Sequence, residues 1–326
     1  MFSFQHTSCD DAAEAERSFR ECVRIRRKIQ GEDHVEVAEA LFNLGYVYEV
    51  ARKDYKRAMR SYEEALRIRK TIMEEADMET ARCYLHLGSV HASVSDDKKA
   101  AYCFNVAISV CATLGEAEHE IVEDAIVGQG HALLAQSKPE AALAQYERAI
   151  SMRQDRCGEG DKDESKEAAD LRLFEANALD ALEKPHEAMD RLVLALDMYR
   201  SSIGMEHLAT ATAYQRIAEV NVKMGQDDEA LSSAQLALKI RKGRLGTHDE
   251  ETGDSYFDIG KILAAREDYD KAKPCLAAAS EIFRHNRAAD HASVADSMFL
   301  LGGIYGELFL IMMMMMMMSV AIALVV

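Results

Sequence analysis

Tryptophan is absent from this sequence, and proline occurs only 3 times in 326 residues. So little proline excludes a proline-rich linker or polyproline ligand and leaves long helices uninterrupted. The 7 cysteines, Cys9, Cys22, Cys83, Cys103, Cys111, Cys157 and Cys275, include no C-x-x-C pair. Metal fingers and dithiol redox sites need such spacing, so no metal is expected and the thiols read as reduced core residues. Phosphate-binding glycine loops, G-x-S-x-G and H-E-x-x-H are also missing. Adjacent carboxylates such as Glu63 and Glu64 have ordinary helix-surface spacing. No enzyme activity and no cofactor are expected.

Positive charge is scarce as well. Lys and Arg number 39 against 56 Asp and Glu, a formal charge of -17. A general nucleic-acid binder needs a basic face for phosphates, so nucleic acid is not an expected partner. The exception runs from Arg17 to Lys70, where 14 Lys/Arg face 9 Asp/Glu. That stretch reads either as solvated helix surface or as a basic docking end. Residues 1–11 lack the basic start and apolar run of a secretory signal and are expected to be disordered, with the protein cytoplasmic.

What the chain does have is self-similarity, with 48% hydrophobic residues spread in a regular pattern. Ala58, Tyr62, Ala65, Leu66 and Ile68 recur as Ala15, Phe19, Cys22, Val23 and Ile25, as Ala100, Phe104, Ala107, Ile108 and Val110, and as Ala142, Tyr146, Ala149, Ile150 and Met152. Further copies start at Ala188, Ala230 and Ala272. The spacing i, i+4, i+7, i+8, i+10 is one apolar face of a helix, here helix B. A second periodic helix, helix A, precedes each B and carries a small marker residue: Gly45, Gly88, Gly130, Ala176, Ala218, Gly260 and Gly302. Glycine inside a helix costs about 1 kcal/mol against alanine, so its recurrence predicts close helix–helix contact. Pro139 and Pro185 fall in the first turn of helix B, where a missing N–H is harmless. Eleven residues before each marker stand His34, Asp77, His119, Ser165, His207, Asp249 and His291. These read as caps of helix A rather than as a metal or pH array, because each belongs to a different repeat.

GEDH at Gly31–His34, ALFNLG at Ala40–Gly45 and YEEALRI at Tyr62–Ile68 resemble tetratricopeptide repeats of the kinesin-light-chain type, as does Pro274 in KAKPCLAAAS. The expected fold is all-α: antiparallel helix pairs stacked in a right-handed superhelical solenoid over residues 12–306, six full repeats with a half repeat at each end. The coiled coil through which kinesin light chains join their motor has no counterpart before Asp10, so a motor-bound role is not expected.

The resemblance implies a protein-interaction scaffold or adaptor that holds a partner peptide or helix in a concave groove lined by helix A. Carried over at six and three residues before the marker and one and four after it, the groove comprises Glu39, Phe42, Tyr46 and Glu49; Arg82, Leu85 and Ser89; Asp124, Val127, His131 and Leu134. It continues with Asp170, Leu173, Asn177 and Asp180; Gln215, Glu219 and Lys223; Asp254, Phe257 and Lys261. Acid dominates the first of these positions, which suits a partner with basic and apolar side chains. Asn43 fits one position of the clamp with which some relatives hold acidic chaperone tails, but the basic residues that clamp needs are not repeated.

Residues 307–326 form a hydrophobic, methionine-rich tail. Leu308–Val326 carries no charge and as a helix would span about 28 Å, near a bilayer core. Three readings stand: a membrane anchor that makes the protein a tail-anchored receptor, a seventh helix B, or a shifted reading frame, since repeated ATG becomes poly-aspartate in another frame.

Overall fold

The computed structural model describes residues 9–72, 77–116, 119–157, 163, 165–286 and 292–325. Among these there is no strand. The helices are α1 (Cys9–Gln30), α2 (Val35–Tyr46), α3 (Tyr55–Ile72), α4 (Met78–Ser93), α5 (Asp97–Thr113), α6 (Glu120–Ala135) and α7 (Pro139–Cys157). They continue as α8 (Lys166–Ala181), α9 (Pro185–Ser202), α10 (Leu208–Lys223), α11 (Asp227–Arg244), α12 (Glu250–Ala265), α13 (Tyr269–Asn286) and α14 (Ala292–Val325). The fold is all-α, and the six predicted A–B pairs are present, α2 with α3 through α12 with α13. The chain divides into two compact units, Met1–Asp163 and Glu164–Val326.

Within a pair, the marker of helix A receives the large residue four places after the small residue that starts the helix B pattern. A Cβ on Gly45 would stand 2.7 Å from the Tyr62 ring, and one on Gly88 would stand 2.7 Å from Phe104. On Gly260 it would meet Leu276 at 2.7 Å, and Gly130 is closed in the same way by Tyr146. Tyr62, Phe104, Tyr146 and Leu276 are almost wholly buried, at 0–1% exposure. Each buried side chain of this size contributes about 1.5–3 kcal/mol of transfer free energy, which outweighs the helix cost of the glycine. The small residue that starts each B pattern, from Ala58 to Ala272, is likewise at 0%. Phe104 is gripped twice, since Gly128 of the following helix also leaves room for its ring.

Polar groups fix where each helix starts. His34 Nδ1 accepts from the Glu36 N–H at 3.2 Å, His119 from Ile121 at 3.2 Å and His207 from Ala209 at 3.1 Å. Asp77 accepts from Thr80 at 2.9 Å, Ser165 from Ala168 at 3.2 Å and Asp249 from Glu251 at 2.9 Å. Each satisfies an N–H that the first turn leaves without a partner. The seventh predicted cap, His291, lies outside the described residues. Asp77 also holds buried Arg69 at 2.7 Å. The equivalent late residue of α11, Arg241, reaches Ser255 of α12 at 2.8 Å. An arginine near the end of helix B thus ties the start of the next helix A.

Helix A ends on a residue with positive φ: Lys53, Ser95, Ser137, Glu183, Gly225 and Glu267. The N–H two residues beyond the last helical turn then closes it, as Asp96 does to His91 O at 2.9 Å and Asp268 to Leu263 O at 2.9 Å. Pro139 and Pro185 each open the following helix, as expected.

The first pair carries a π-helical turn at Val47–Ala51. Thirteen residues separate Gly45 from Ala58, whereas twelve separate Gly88 from Ala100 and every later marker pair. The π turn absorbs the extra residue and keeps Tyr62 seated on Gly45.

The six cysteines from Cys22 to Cys275 are free thiols. Burial pushes the Cys83 thiol up to about 12 and the Cys103 thiol up to about 11. These two are packing residues rather than nucleophiles.

Helix α14 begins ten residues before Gly302, as every helix A begins before its marker, but it does not stop at Glu307 where the repeat would turn. It runs straight to Val325, so the tail does not fold back as a seventh helix B. A Cβ on Gly302 would accordingly meet nothing within 4 Å.

Candidate functional site

In the first unit the exposed face of α2 and α4 gathers an aromatic cluster. Phe42 packs on the Tyr62 ring at 5.5 Å, and His86 stands edge-on to Phe42 at 5.3 Å and to Tyr46 at 5.4 Å. His86 stacks on Tyr62 at 5.7 Å. Glu49 joins them: it accepts from the Tyr62 hydroxyl at 2.6 Å and lies 3.0 Å from His86 Nδ1. Burial and the neighbouring Glu49 carboxylate push the Tyr62 phenol far above its ordinary range, so it stays a donor. The knob of the helix pair therefore has two ends, an apolar ring on Gly45 and a hydroxyl held by Glu49.

Other predicted residues on this unit divide by environment. Glu39 is exposed and lies 3.3 Å from Arg26, and Arg82 lies 2.7 Å from Glu79 of its own helix. Asn43 donates to the Glu39 carbonyl of its own helix at 3.0 Å. On α6, Val127 is half-buried while Asp124 and His131 reach solvent. Both are nevertheless crowded by protein. Desolvation, with Glu120 adding to it, raises the Asp124 carboxyl, and desolvation lowers the His131 imidazole. His131 shares a 2.9 Å hydrogen bond with the Tyr146 hydroxyl, as Glu49 does with Tyr62.

Two predicted positions need correction. Leu85 and Leu173 are 9% and 7% exposed and belong to the core. The residue one place later is more open at both, His86 and Phe174. The open stripe of helix A thus includes the position two before the marker, on the same ridge as the acidic position six before it.

In the second unit Asp170 accepts the Tyr199 hydroxyl at 2.5 Å and pairs with Lys166 at 2.8 Å. Asn177 is half-buried on the same helix. Lys223 of α10 bridges to Asp180 of α8 at 2.7 Å. Between α10, α11 and α12 lies a cleft of about 370 Å³ whose lining includes the predicted Gln215, Glu219 and Lys261 together with Asp258. Asp254 and Phe257 are half-buried on the same stretch of α12, where Phe257 packs on Phe283 at 6.3 Å and carries Lys261 over its ring at 5.5 Å. Gln215 donates to Asp258 at 2.8 Å. Burial, with Glu219 and Asp254 adding repulsion, raises the Asp258 carboxyl to about 6.

His86 and Asp258 are the functional candidates that sequence reasoning missed. Both sit two residues before the marker, a position the groove mapping omits and that only Asn43, as a clamp candidate, represents. Among the described residues no group of three or more His, Cys, Asp or Glu is arranged to hold a metal.

Comparison with known proteins agrees with this architecture. The tetratricopeptide-repeat family matches residues 4–71, 211–243 and 253–286. No curated protein matches the chain. Among solved structures, it is similar to the nearly identical tetratricopeptide-like repeats of a kinesin-light-chain-type protein from Podosopora anserina, with TM-score 0.54 and 15% identity over 66% of this chain and 100% of that one. It is also similar to Rap protein complexed with competence and sporulation factor, with TM-score 0.52 and 15% identity over 94% and 88%. The APC/C hetero-tetramer Cut9–Hcn1 gives TM-score 0.59 and 10% identity over 88% and 46%. At these identities the likeness is one of fold.

Proposed function

We propose, for a chain built of tetratricopeptide repeats, that it is an interaction scaffold or adaptor holding an extended peptide or helix of another protein in a groove lined by the open faces of its A helices, in the cytosol. The observation that carries this reading is the aromatic cluster of Phe42, Tyr46 and His86. Large rings left half-open beside a carboxylate, with their backs packed on the core, are a common recognition surface for protein segments. Aromatics held rigid in this way lose little entropy on binding. The acidic residues Glu39, Asp124, Asp170 and Asp254 along the same helices favour a segment that is basic as well as apolar. The similarity to Rap complexed with a factor and to Cut9 bound to Hcn1 is consistent with a binding role.

The test is quantitative affinity capture with full-length chain, comparing wild type, a Phe42→Ala/Tyr46→Ala variant and a Tyr102→Ala/Leu236→Ala control on helix B. Partners retained by wild type and control but lost from the aromatic variant, with all three chains folded, would support the reading. An unchanged partner set would reject it.

A second reading adds a membrane. Within Ala292–Met315 an 18-residue stretch has mean hydropathy 1.8 and is only 6% buried. As part of the continuous helix to Val325, it is long enough to cross a bilayer. The scaffold would then be a tail-anchored receptor presenting the same helix A faces to the cytosol. Fractionation of full-length chain and of chain truncated before Leu308 tests this: membrane recovery lost on truncation supports the anchor, and equal recovery removes it.

A further inference from the structure

The cleft between α10, α11 and α12 has an apolar wall and three carboxylates, Glu219, Asp227 and Asp258. Ala218 and Val222 come from α10, Ala234 from α11 and Ile262 from α12. Asp258 is held in place by a relay that starts in the core. Arg241, 4% exposed, donates to Gln215 Oε1 at 2.6 Å, and Gln215 Nε2 donates to Asp258 Oδ2 at 2.8 Å. The other Asp258 oxygen has no hydrogen-bond partner among the described residues. The chain's own cations at the cleft have other partners as well: Lys223 pairs with Asp180 at 2.7 Å, and Lys261, whose charge also acts on Asp258, lies over the Phe257 ring at 5.5 Å. Glu219 pairs with Arg216 at 2.7 Å.

An oriented carboxylate with one open oxygen, beside an apolar wall, matches one class of side chain: a flexible hydrocarbon stem ending in a cation. We infer that this cleft takes a lysine or arginine side chain of the bound segment, its stem on Ala218, Val222 and Ile262 and its charge on the open oxygen of Asp258. The inference rests on the scaffold reading above and gives the partner one defined residue type. The groups facing Asp258 are Glu219 and Lys223 from α10, Asp227 and, behind Gln215, Arg241 from α11, and Asp254 and Lys261 from α12. Asp258 is the one whose carboxyl is lifted to about 6, by burial first and by Glu219 next. Occupancy should therefore be high above that pH and fall as the pH drops through it, because the incoming cation keeps its charge throughout.

The test uses n-butylguanidinium and n-butanol as probes of full-length chain, read by methyl NMR at Val222 and Ile262. The expected result is saturable shifts with n-butylguanidinium at neutral pH, at least about tenfold tighter than with n-butanol, as one charge-assisted hydrogen bond supplies. Asp258→Asn should remove the difference between the probes, and Ala265→Leu, at the cleft mouth, should exclude both. Equal binding of the two probes, or undiminished n-butylguanidinium binding by folded Asp258→Asn, would overturn the inference. If the chain captures protein through Phe42 and Tyr46 yet fails this test, only the cation site is refuted. If it binds the cation at Asp258 but captures no protein segment, the scaffold reading is refuted.

Discussion

Tyr62 fills the space in which a side chain on residue 45 would have to stand: its Cε1 lies 2.7 Å from where a Cβ on Gly45 would be. The ring is fully buried and belongs to the next helix, so it cannot swing aside as a flexible side-chain end would. Gly45→Ala should therefore destabilise the protein by about 1–3 kcal/mol, overriding the roughly 1 kcal/mol that alanine contributes to an isolated helix. Gly302→Ala is the internal control. It meets nothing within 4 Å and should be neutral or stabilising by up to about 1 kcal/mol. Urea denaturation of the two variants distinguishes them by sign.

Asp77 does two tasks at once, capping α4 through Thr80 and pairing with buried Arg69. Burial works to raise its carboxyl, but the Thr80 hydrogen bonds and Arg69 outweigh that and leave it below the ordinary range. A depressed folded-state value contributes stability that is present above the unfolded carboxyl's range and lost as pH falls through the folded one. Asp77→Ala should cost about 2–4 kcal/mol, more than a lost cap alone, because Arg69 is left buried without its partner. Asp77→Asn should keep part of the cap and flatten the acid limb of a stability-versus-pH curve.

Asp258 has the opposite sign. Its carboxyl is raised to about 6, so the folded chain holds that proton where the unfolded chain has released it. Its contribution is fully present below the unfolded value and fades as pH rises through about 6. In free protein, Asp258→Asn should raise stability at neutral pH by no more than about 2 kcal/mol, and by less at pH 5. Thermal denaturation at the two pH values checks this. A uniform loss of stability would mean that the carboxylate is structurally required.

The cysteines report on packing. Cys83 and Cys111 are buried at 1% and 0% exposure, with burial raising both thiols, whereas Cys22 and Cys157 are half-buried. Iodoacetamide should label Cys22 and Cys157 first and leave Cys83 and Cys111 until the chain unfolds, as mass spectrometry of labelled peptides would record.

The repeat was legible because helix pairs must bury one face each, and burial imposes spacing. Gly88 with Phe104 and Gly130 with Tyr146 stand as far apart in sequence as each turn requires. The caps were legible at Asp77 and Ser165, and at His34, His119 and His207 once their equivalence was seen. The π turn at Val47–Ala51 is not legible from the repeat period, because its one extra residue shows only when Gly45 to Ala58 is compared with the same interval in later pairs. The site was harder to read. A family mapping fixes a face only to within a residue, about 100° of helix rotation, so Leu85 and Leu173 were placed outside and His86 and Asp258 were passed over. The relay from Arg241 through Gln215 to Asp258 joins residues 26 and 43 positions apart, and no local pattern announces it.

Hydrogen exchange of full-length chain with and without a captured partner tests the central claim most directly, because it reads every helix at once. Slower exchange in α2, α4, α10 and α12, with α3, α5, α11 and α13 unchanged, is the predicted result. Protection confined to the B helices would contradict the account.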